Sequence, residues 1–252
     1  KIFASIKKNK TSHYLLKKCD FGDNHELSII KKISDISNIL LLDCGCNYGF
    51  YTFYTASLSK KNTVIAVEAS KNTSLEFLKN HKLNNFKNIH FENKAISNKD
   101  NENVIFNESD NDWESSQTHK EFKIKSNNNV QTITIDGLLN EYQLNEYKII
   151  IKLDIEGNEM SAIQGSLRTI KNFSPLIILE VSKYIFDYKH NIDYFKNFLS
   201  EFDYSIFDLN NNKILFKDLL LKLKNLDKDR KTIGNFYLIK NSSNILKILK
   251  NE

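Results

Sequence analysis

Residues 41–52 read LLDCGCNYGFYT and predict a point where a buried strand turns into a helix. The apolar run Ile39–Cys44 is typical of a strand that is buried on both faces, and a helical pattern follows it. Asp43 lies at the end of the strand, and Gly45 and Gly49 allow the backbone to approach a ligand closely. The first turn of the following helix has free N–H groups. The stretch therefore predicts a ligand-binding turn at the carboxyl end of a strand.

Outward from this turn, strand and helix patterns alternate along the chain. The predicted strands are Ile39–Cys44, Val64–Glu68, Asn88–Glu92, Ile149–Asp154, Leu176–Val181, Tyr204–Asp208 and Asn235–Lys240. The predicted helices are Phe50–Leu58, Thr73–Leu83, Glu159–Lys171 and Ile192–Phe202. This alternation predicts an α/β fold, in which a mainly parallel seven-stranded sheet carries helices on both faces.

The remaining segments define the expected domain organisation. We expect residues 1–38 to form an N-terminal helical cap and residues 39–252 to form one compact domain, with a polar insertion at about 98–129. After the insertion, Val130–Ile135 alternates in the way that is typical of a strand. The asparagine-rich stretches favour loops or turns: these are residues 98–103, 107–112, 127–129 and 210–212. In the helix predicted after the second strand, Leu75, Leu78 and Leu83 share one side.

Composition excludes several classes of protein. Hydrophobic residues make up 40% and charged residues 27%, as in ordinary globular proteins, and no run approaches the ~18 apolar residues of a membrane helix. The net charge is +5, but the only arginines are Arg168 and Arg230, so we expect a solvated surface and no nucleic-acid partner. Three cysteines fit neither a disulfide framework nor a zinc site, which predicts a reducing cytoplasm. Because the sequence does not begin with Met, we expect it to come from a longer chain.

The spacing of the glycines separates two kinds of nucleotide ligand. The turn has the pattern G-x-x-x-G, whereas dinucleotide enzymes use G-x-G-x-x-G to hold a pyrophosphate. Asp43 would repel a pyrophosphate but suits a ligand that carries an ammonium or a sulfonium. Glu68, at the end of the next strand, can accept hydrogen bonds from both hydroxyls of a ribose diol. Hydrogen bonds to a charged group contribute ~1.5–3 kcal/mol. Together these acids indicate S-adenosylmethionine, although each could also belong to a plain turn or a solvated strand end.

A third segment, residues 150–159, reads IIKLDIEGNE and groups charged side chains at the end of another buried strand. Asp154, Glu156 and Glu159 can raise one another's pKa, which would make a carboxylate basic enough to take a proton from a hydroxyl. They could equally bind Mg²⁺ or Mn²⁺, or cap the helix that follows. Lys152 is the weaker candidate for a base, because burial would first have to lower its pKa.

These segments together resemble the FkbM family of S-adenosylmethionine-dependent methyltransferases. The matching motifs are Asp43-x-Gly45-x-Asn47-x-Gly49-x-x-Thr52, Val67–Ser70, Asn93–Ser97, Thr132–Asp136, Lys152-x-Asp154-x-Glu156-Gly157 with Gly165, and Pro175–Val181. The resemblance implies the Rossmann-like class I fold with seven strands, and methyl transfer to a hydroxyl. The sequence departs from the usual family pattern at two positions. Family members usually have a small residue where this chain has Cys46, and a proline where it has Ala69.

The resemblance also implies roles for individual residues. Asp43, Gly45, Asn47 and Gly49 would surround the methionine part of the cofactor, and Glu68 would bind the ribose. The same motifs add four further cofactor-binding candidates: Thr52, Ala69, Ser70 and Ala95. The catalytic candidates are Asp154, Glu156 and Lys152.

We therefore expect a cytoplasmic O-methyltransferase that acts on a hydroxyl of a sugar or nucleotide-sugar in surface polysaccharide biosynthesis. Two alternatives remain, a nicotinamide-dependent oxidoreductase and a non-catalytic nucleoside-binding protein. We expect a small-molecule or sugar acceptor; a divalent metal and a homo-oligomer are left open. In the insertion, Trp113 could stack on a sugar or close the local core. His119 could be a base or a ligand, but a surface histidine is the better interpretation.

Overall fold

The computed structural model describes residues 24–109, 124–186, 189–227 and 232–250. The interpretations that concern Cys19, Trp113 and His119 lie outside these residues. The strands are β1 Ile39–Cys44, β2 Thr63–Val67, β3 Ile89–Glu92, β4 Ala95–Ile96, β5 Asn103–Ser109, β6 Ile124–Ile133, β7 Lys148–Leu153, β8 Leu176–Ser182, β9 Tyr204–Phe207, β10 Lys213–Ile214 and β11 Thr232–Lys240. The α-helices are α1 Asn24–Ser34, α2 Phe50–Leu58, α3 Lys71–Asn84, α4 Ile135–Leu138, α5 Glu159–Gln164, α6 Leu167–Phe173, α7 Lys189–Glu201, α8 Phe216–Lys224 and α9 Ile245–Lys250.

The main sheet has the order β10-β9-β11-β8-β7-β1-β2-β3. Pairing is parallel from β8 through to β3, whereas β11 is antiparallel to both β8 and β9. This confirms the predicted α/β fold with its mainly parallel sheet, but the strand count is eight rather than seven. The additional strand is the two-residue β10, which pairs antiparallel with β9 at the edge of the sheet.

Two apolar layers cover the two faces of the main sheet. All six residues of β1 are buried, as is expected for a strand whose two faces are both covered. Alternate residues of β1 enter different clusters: Leu40 and Leu42 pack on one face, and Ile39 and Leu41 on the other. On the second face, Ile29, Ile30 and Ile33 of α1 are buried against the sheet. The described part of the predicted N-terminal cap is therefore helical and contributes to the core.

A small sheet with the order β4-β6-β5 occupies the predicted insertion. β5 and β6 form an antiparallel hairpin, and Asn127–Asn129 lie inside β6, opposite Ile105–Asn107. The prediction of a loop at Asn127–Asn129 is therefore wrong, because cross-strand pairing satisfies the backbone groups that asparagine would otherwise bind. The predicted strand Val130–Ile135 corresponds to the end of β6 and to the start of α4.

One helix prediction differs from the structure, and the burial of a second helix is now defined. The segment Glu159–Lys171 forms two helices rather than one, and the break occurs at Gly165. A Cβ at Gly165 would lie 2.3 Å from the carbonyl oxygen of Ser97, so this position admits no side chain. In α3, the leucines predicted to share one side are exposed: Leu75, Leu78 and Leu83. Among the described residues, no helix is long and apolar enough to cross a membrane.

The face by which α3 packs gives a testable prediction. Phe77 is completely buried and stacks on Phe53 and Phe91, with ring centroids 5.3 and 4.5 Å apart, whereas Leu78 is 45% exposed. We expect Phe77→Ala to lower the free energy of unfolding by about 3–5 kcal/mol. The neighbouring Leu78→Ala should change it by less than about 1 kcal/mol. Urea denaturation of both variants measures the difference, and equal losses would contradict the orientation of α3.

Candidate active site

The parallel strands bring the predicted residues to one edge of the sheet. Asp43 of β1 pairs with Lys152 of β7, and the loops after both strands leave at the carboxyl ends. On the neighbouring strand β8, Ile178 pairs with Lys152, and Glu180 lies two residues after Ile178. Glu180 itself pairs with Asn235 of β11. Because directly opposed residues on neighbouring strands share a face, these side chains form polar rows above the apolar core.

Asp43 is a buried carboxylate with one free oxygen. Its side chain is 1% exposed, and Oδ2 accepts a 2.6 Å hydrogen bond from the Thr52 hydroxyl. The other oxygen, Oδ1, is buried without a partner. Burial raises the pKa of Asp43, although the charge of Lys152 and the bond from Thr52 oppose the rise. An unpaired buried acceptor of this kind fits a ligand that donates hydrogen bonds or carries positive charge.

The turn after β1 depends on three left-handed residues. Gly45, Asn47 and Gly49 have φ values of 77°, 49° and 89°. A Cβ at Gly45 would lie 1.9 Å from the backbone oxygen of Asp154. The close approach to Gly45 that was predicted for a ligand is therefore made by the backbone of Asp154, the residue directly after β7.

Glu68 ties together three of the predicted cofactor residues. Its Oε2 accepts the backbone N–H of Asn47 at 3.0 Å, and its Oε1 accepts that of Ser70 at 2.8 Å. Ser70 also caps α3 by accepting the N–H of Thr73. Burial raises the pKa of Glu68 to about 7, although the two N–H donors favour the ionised form. The carboxylate is therefore held in place at the end of β2, the position predicted for a ribose contact.

Asn93 joins the ends of β2 and β3, a role that sequence reasoning missed. Its side-chain amide donates to the carbonyls of Glu68 and Ala69, at 2.7 and 3.2 Å. It also donates to the hydroxyl of Ser74 at 3.0 Å. Ala69 and Ala95, both predicted to bind cofactor, border the same small apolar cluster. The structure thus brings the predicted residues of these two strand ends together.

Lys152 is a buried cation among acids. It is 3% exposed, and its Nζ lies 2.8 Å from Asp154 Oδ2 and 4.7 Å from the centre of the Tyr51 ring. Burial is the largest single influence and works against its charge, but the neighbouring acids, Asp154 first and then Asp43, together outweigh it and raise the pKa of the Lys152 ammonium. The raised pKa favours the protonated form, which suits a cation that orients and neutralises the acids better than it suits a general base.

Glu180, which sequence reasoning did not select, is another acid of this region with a raised pKa. Burial raises the pKa of Glu180 well above its usual range, and the charges of Asp154 and Glu156 add to the rise. Asp154 behaves in the opposite way: burial opposes its ionisation, but Lys152 and a hydrogen bond with Glu180 lower its pKa. A lone acid inside the apolar strand β8 is the sequence signal that could have identified Glu180.

The loop after β7 separates Glu156 from Glu159. Glu159 is completely buried, and its Oε1 accepts the N–H groups of Ile155 and Gly157 at 3.2 and 3.1 Å. It therefore fixes the backbone of the loop. The helix-capping interpretation expected a solvent-facing turn, whereas Glu159 is buried and α5 has no side-chain cap hydrogen bond. Glu156 is left-handed, with a φ of 53°, and lies near Asp154 and Glu180. Asp154, Glu156 and Glu180 each offer a carboxylate oxygen, and these oxygens lie within 4.8 Å of one another.

The sequence model of the methyltransferase FkbM domain matches residues 43–206, well over half of the chain. The chain belongs to the FkbM methyltransferase family. This confirms the resemblance, drawn from the motifs, to a family of S-adenosylmethionine-dependent methyltransferases. Membership of this family also argues against the alternative of a nicotinamide-dependent oxidoreductase. No curated protein matches the chain in sequence.

Several solved methyltransferase structures are similar to this chain at low sequence identity. An FkbM methyltransferase from Methylobacillus flagellatus KT is 18% identical with a TM-score of 0.48; the alignment covers 83% of this chain but 47% of that one. An O-methyltransferase from Bacillus cereus, solved in complex with SAH, is 13% identical with a TM-score of 0.50, covering 93% and 92%. A putative rRNA methylase from Clostridium thermocellum is 9% identical with a TM-score of 0.48, covering 87% and 94%.

The contact at Gly45 predicts a loss of stability on substitution. Gly45→Ala combines an unfavourable left-handed φ, about 1–3 kcal/mol, with a collision against a backbone oxygen. Gly234→Ala is the matched control, since Gly234 has a φ of 101° and nothing within 4 Å of the added Cβ. We expect the lower free energy of unfolding for Gly45→Ala by urea denaturation. Equal values would mean that the chain around Asp154 yields to the methyl group.

The environment of Glu68 predicts pH-dependent cofactor affinity. An ionised carboxylate accepts two ribose hydroxyls, so binding favours the charged form and should weaken as the pH falls through about 7. We expect Glu68→Ala to raise the Kd of SAH (S-adenosylhomocysteine) by roughly 10- to 100-fold at pH 8 and to remove this pH dependence. Isothermal titration calorimetry measures both. Glu76→Ala, on α3, is the control that should leave Kd unchanged, and an unaltered Kd in Glu68→Ala would place the ribose elsewhere.

Proposed function

We propose that this protein transfers a methyl group from S-adenosylmethionine to a hydroxyl of a sugar or nucleotide-sugar, in surface polysaccharide biosynthesis. The observation that carries the proposal is the cluster of Asp154, Glu156 and Glu180 at the sheet edge, beside Asp43 and the ammonium of Lys152. Oxygen methylation needs a group that accepts the hydroxyl proton, and this cluster supplies acceptors next to the proposed cofactor site.

The residues of β1 and β2 fit the cofactor. Asp43 offers its unpaired buried oxygen to the positively charged methionine part, and Thr52 fixes the orientation of that carboxylate. Gly45, Asn47 and Gly49 shape the turn, while Glu68 would accept the ribose hydroxyls and Ser70 orients Glu68. When bound, S-adenosylmethionine supplies an activated methyl group on a sulfonium.

The acidic cluster would receive the proton of the acceptor hydroxyl. Carboxylates this close titrate as a coupled set, so the proton belongs to the cluster rather than to one residue. Lys152 lowers the pKa of Asp154 and keeps a negative charge next to the hydroxyl, while Glu180 has the higher affinity for the proton. Holding the hydroxyl oxygen in line with the methyl group accounts for most of the expected rate gain.

The same oxygens suit a divalent cation. Three carboxylate oxygens within 4.8 Å of one another fit the hard-oxygen preference of Mg²⁺ or Mn²⁺, and Asp154, Glu156 and Glu180 would hold it. Such an ion would lower the pKa of the acceptor hydroxyl. The buried Lys152 already supplies one positive charge here, which favours the metal-free arrangement.

Charge and thiol chemistry support the remaining parts of the proposal. Several acids beside one lysine favour a neutral, hydroxyl-bearing sugar at the reacting end of the acceptor and disfavour phosphates there. We therefore keep the prediction that nucleic acid is not the acceptor. Cys44 and Cys46 are buried free thiols, which fits the proposed cytoplasmic location. The non-catalytic alternative predicts cofactor binding without turnover.

The experiment is an acceptor screen followed by variants. Purified protein with radiolabelled S-adenosylmethionine is tested on neutral sugars, nucleotide-sugars and polymeric glycans, with MnCl₂ or with EDTA. With a verified acceptor, we expect Asp154→Asn and Glu156→Gln each to lower turnover by roughly 10²–10⁴-fold, with the Kd of SAH little changed.

The control for this prediction is Asp35→Asn, which removes an exposed partner of Lys31 by the same chemical change. Its turnover should equal that of the wild type. Near-normal turnover of both active-site variants would contradict the proton-accepting role of the cluster. Loss of wild-type activity in EDTA, restored by MnCl₂, would turn the cluster into a ligand set.

A further inference from the structure

The hairpin β5–β6 has an apolar face and a polar face. Side chains alternate along a strand, so Val104 and Phe106 lie on one face and Ile105 on the other. Phe106 is 7% exposed and packs with Val130 and Ala95, whereas Ile105 is 59% exposed. The apolar face is thus turned toward the body of the protein.

This apolar face meets the end of β2 at the proposed ribose contact. Ala69 and Val104 are both half-buried and pack against the cluster of Ala95, Phe106 and Val130. Ala69 directly follows Glu68 in the chain. The hydrogen bonds from Asn93 to the carbonyls of Glu68 and Ala69 fix this corner. An apolar surface therefore borders the carboxylate that we assign to the ribose.

The chemistry of the cofactor determines what such a surface can bind. The adenine ring is attached to the ribose, so it must lie within one ring's reach of the diol that Glu68 would hold. A flat aromatic ring gains most from apolar side chains against its face. Of the side chains in this cluster, Ala69 and Val104 are only half-buried, so they still have surface to cover.

We propose that Val104, together with Ala69, forms the apolar wall against which the adenine of the cofactor packs. The insertion hairpin is then part of the cofactor site, in addition to the strand-end residues of the main sheet. This inference rests on the cofactor half of the proposed function and is independent of the acceptor.

The test compares two neighbouring residues on opposite faces of β5. Val104→Asn and Ile105→Asn each replace a β-branched aliphatic side chain by the same polar one. With SAH as the probe and the full chain in calorimetry, we expect Val104→Asn to raise Kd roughly ten-fold, about 1.4 kcal/mol. Ile105→Asn should stay within about two-fold of the wild type. Equal Kd values for the two variants would overturn the proposal.

A direct measurement guards against a variant that fails to fold. In protein with ¹³C-labelled valine methyl groups, we expect nuclear Overhauser effects from adenine H2 or H8 of bound SAH to the Val104 methyls. The milder Val104→Ala, checked by its thermal unfolding, assigns those resonances by their loss. Absence of the effects in saturated protein would overturn the proposal.

The outcomes for the two proposals are distinguishable. A wild type that does not bind SAH would contradict the proposed function and this inference together. A wild type that binds SAH while Val104→Asn behaves like Ile105→Asn would contradict the inference alone. A failed acceptor screen would bear only on the proposed acceptor.

Discussion

The candidate active site depends on one buried positive charge, the ammonium of Lys152. It lies beside Asp43 across the β1–β7 pairing and forms a 2.8 Å ion pair with Asp154. A buried carboxylate without a cation would take up a proton, because the desolvation of an isolated charge costs several kcal/mol. In the proposed site, Lys152 therefore favours the ionised forms of Asp43, on the cofactor side, and of Asp154, on the acceptor side.

The parallel topology explains why distant segments meet at this ammonium. Each βα unit returns the chain to the same end of the sheet, so acids that end β1, β2 and β7 become neighbours. Two residue pairs tie those ends together: Gly45 admits the backbone of Asp154, and Glu68 binds the N–H of Asn47. The site is thus assembled largely by backbone contacts, and the charged side chains are placed on a frame that is already fixed.

The sequence allowed the main sheet to be predicted because its strands are short apolar runs that end in acids and glycines. It did not allow the hairpin to be predicted, since Asn127–Asn129 favour turns locally and only pairing with β5 makes them strand. The spacing of the leucines in α3 predicts that they share a side of the helix, but it does not show that this side is exposed. Glu180 stands out in the sequence as the single acid of β8, but its neighbours are known only once β8 lies next to β7. Local sequence patterns therefore predict the strands and helices, whereas the pairing of distant strands determines which side chains become neighbours.

The two halves of the site are held by different kinds of interaction. On the cofactor side, Glu68 is fixed by backbone N–H groups and the turn by left-handed residues, so few alternative side chains meet the same geometry. On the acceptor side, Asp154, Glu156 and Glu180 interact mainly through one another's charge and one lysine. Many arrangements of charged side chains can provide such interactions, whereas few residue types can adopt the left-handed backbone that the turn requires. A motif in the sequence therefore identifies the cofactor more readily than the acceptor, and the acceptor must be inferred from the electrostatics of the assembled site.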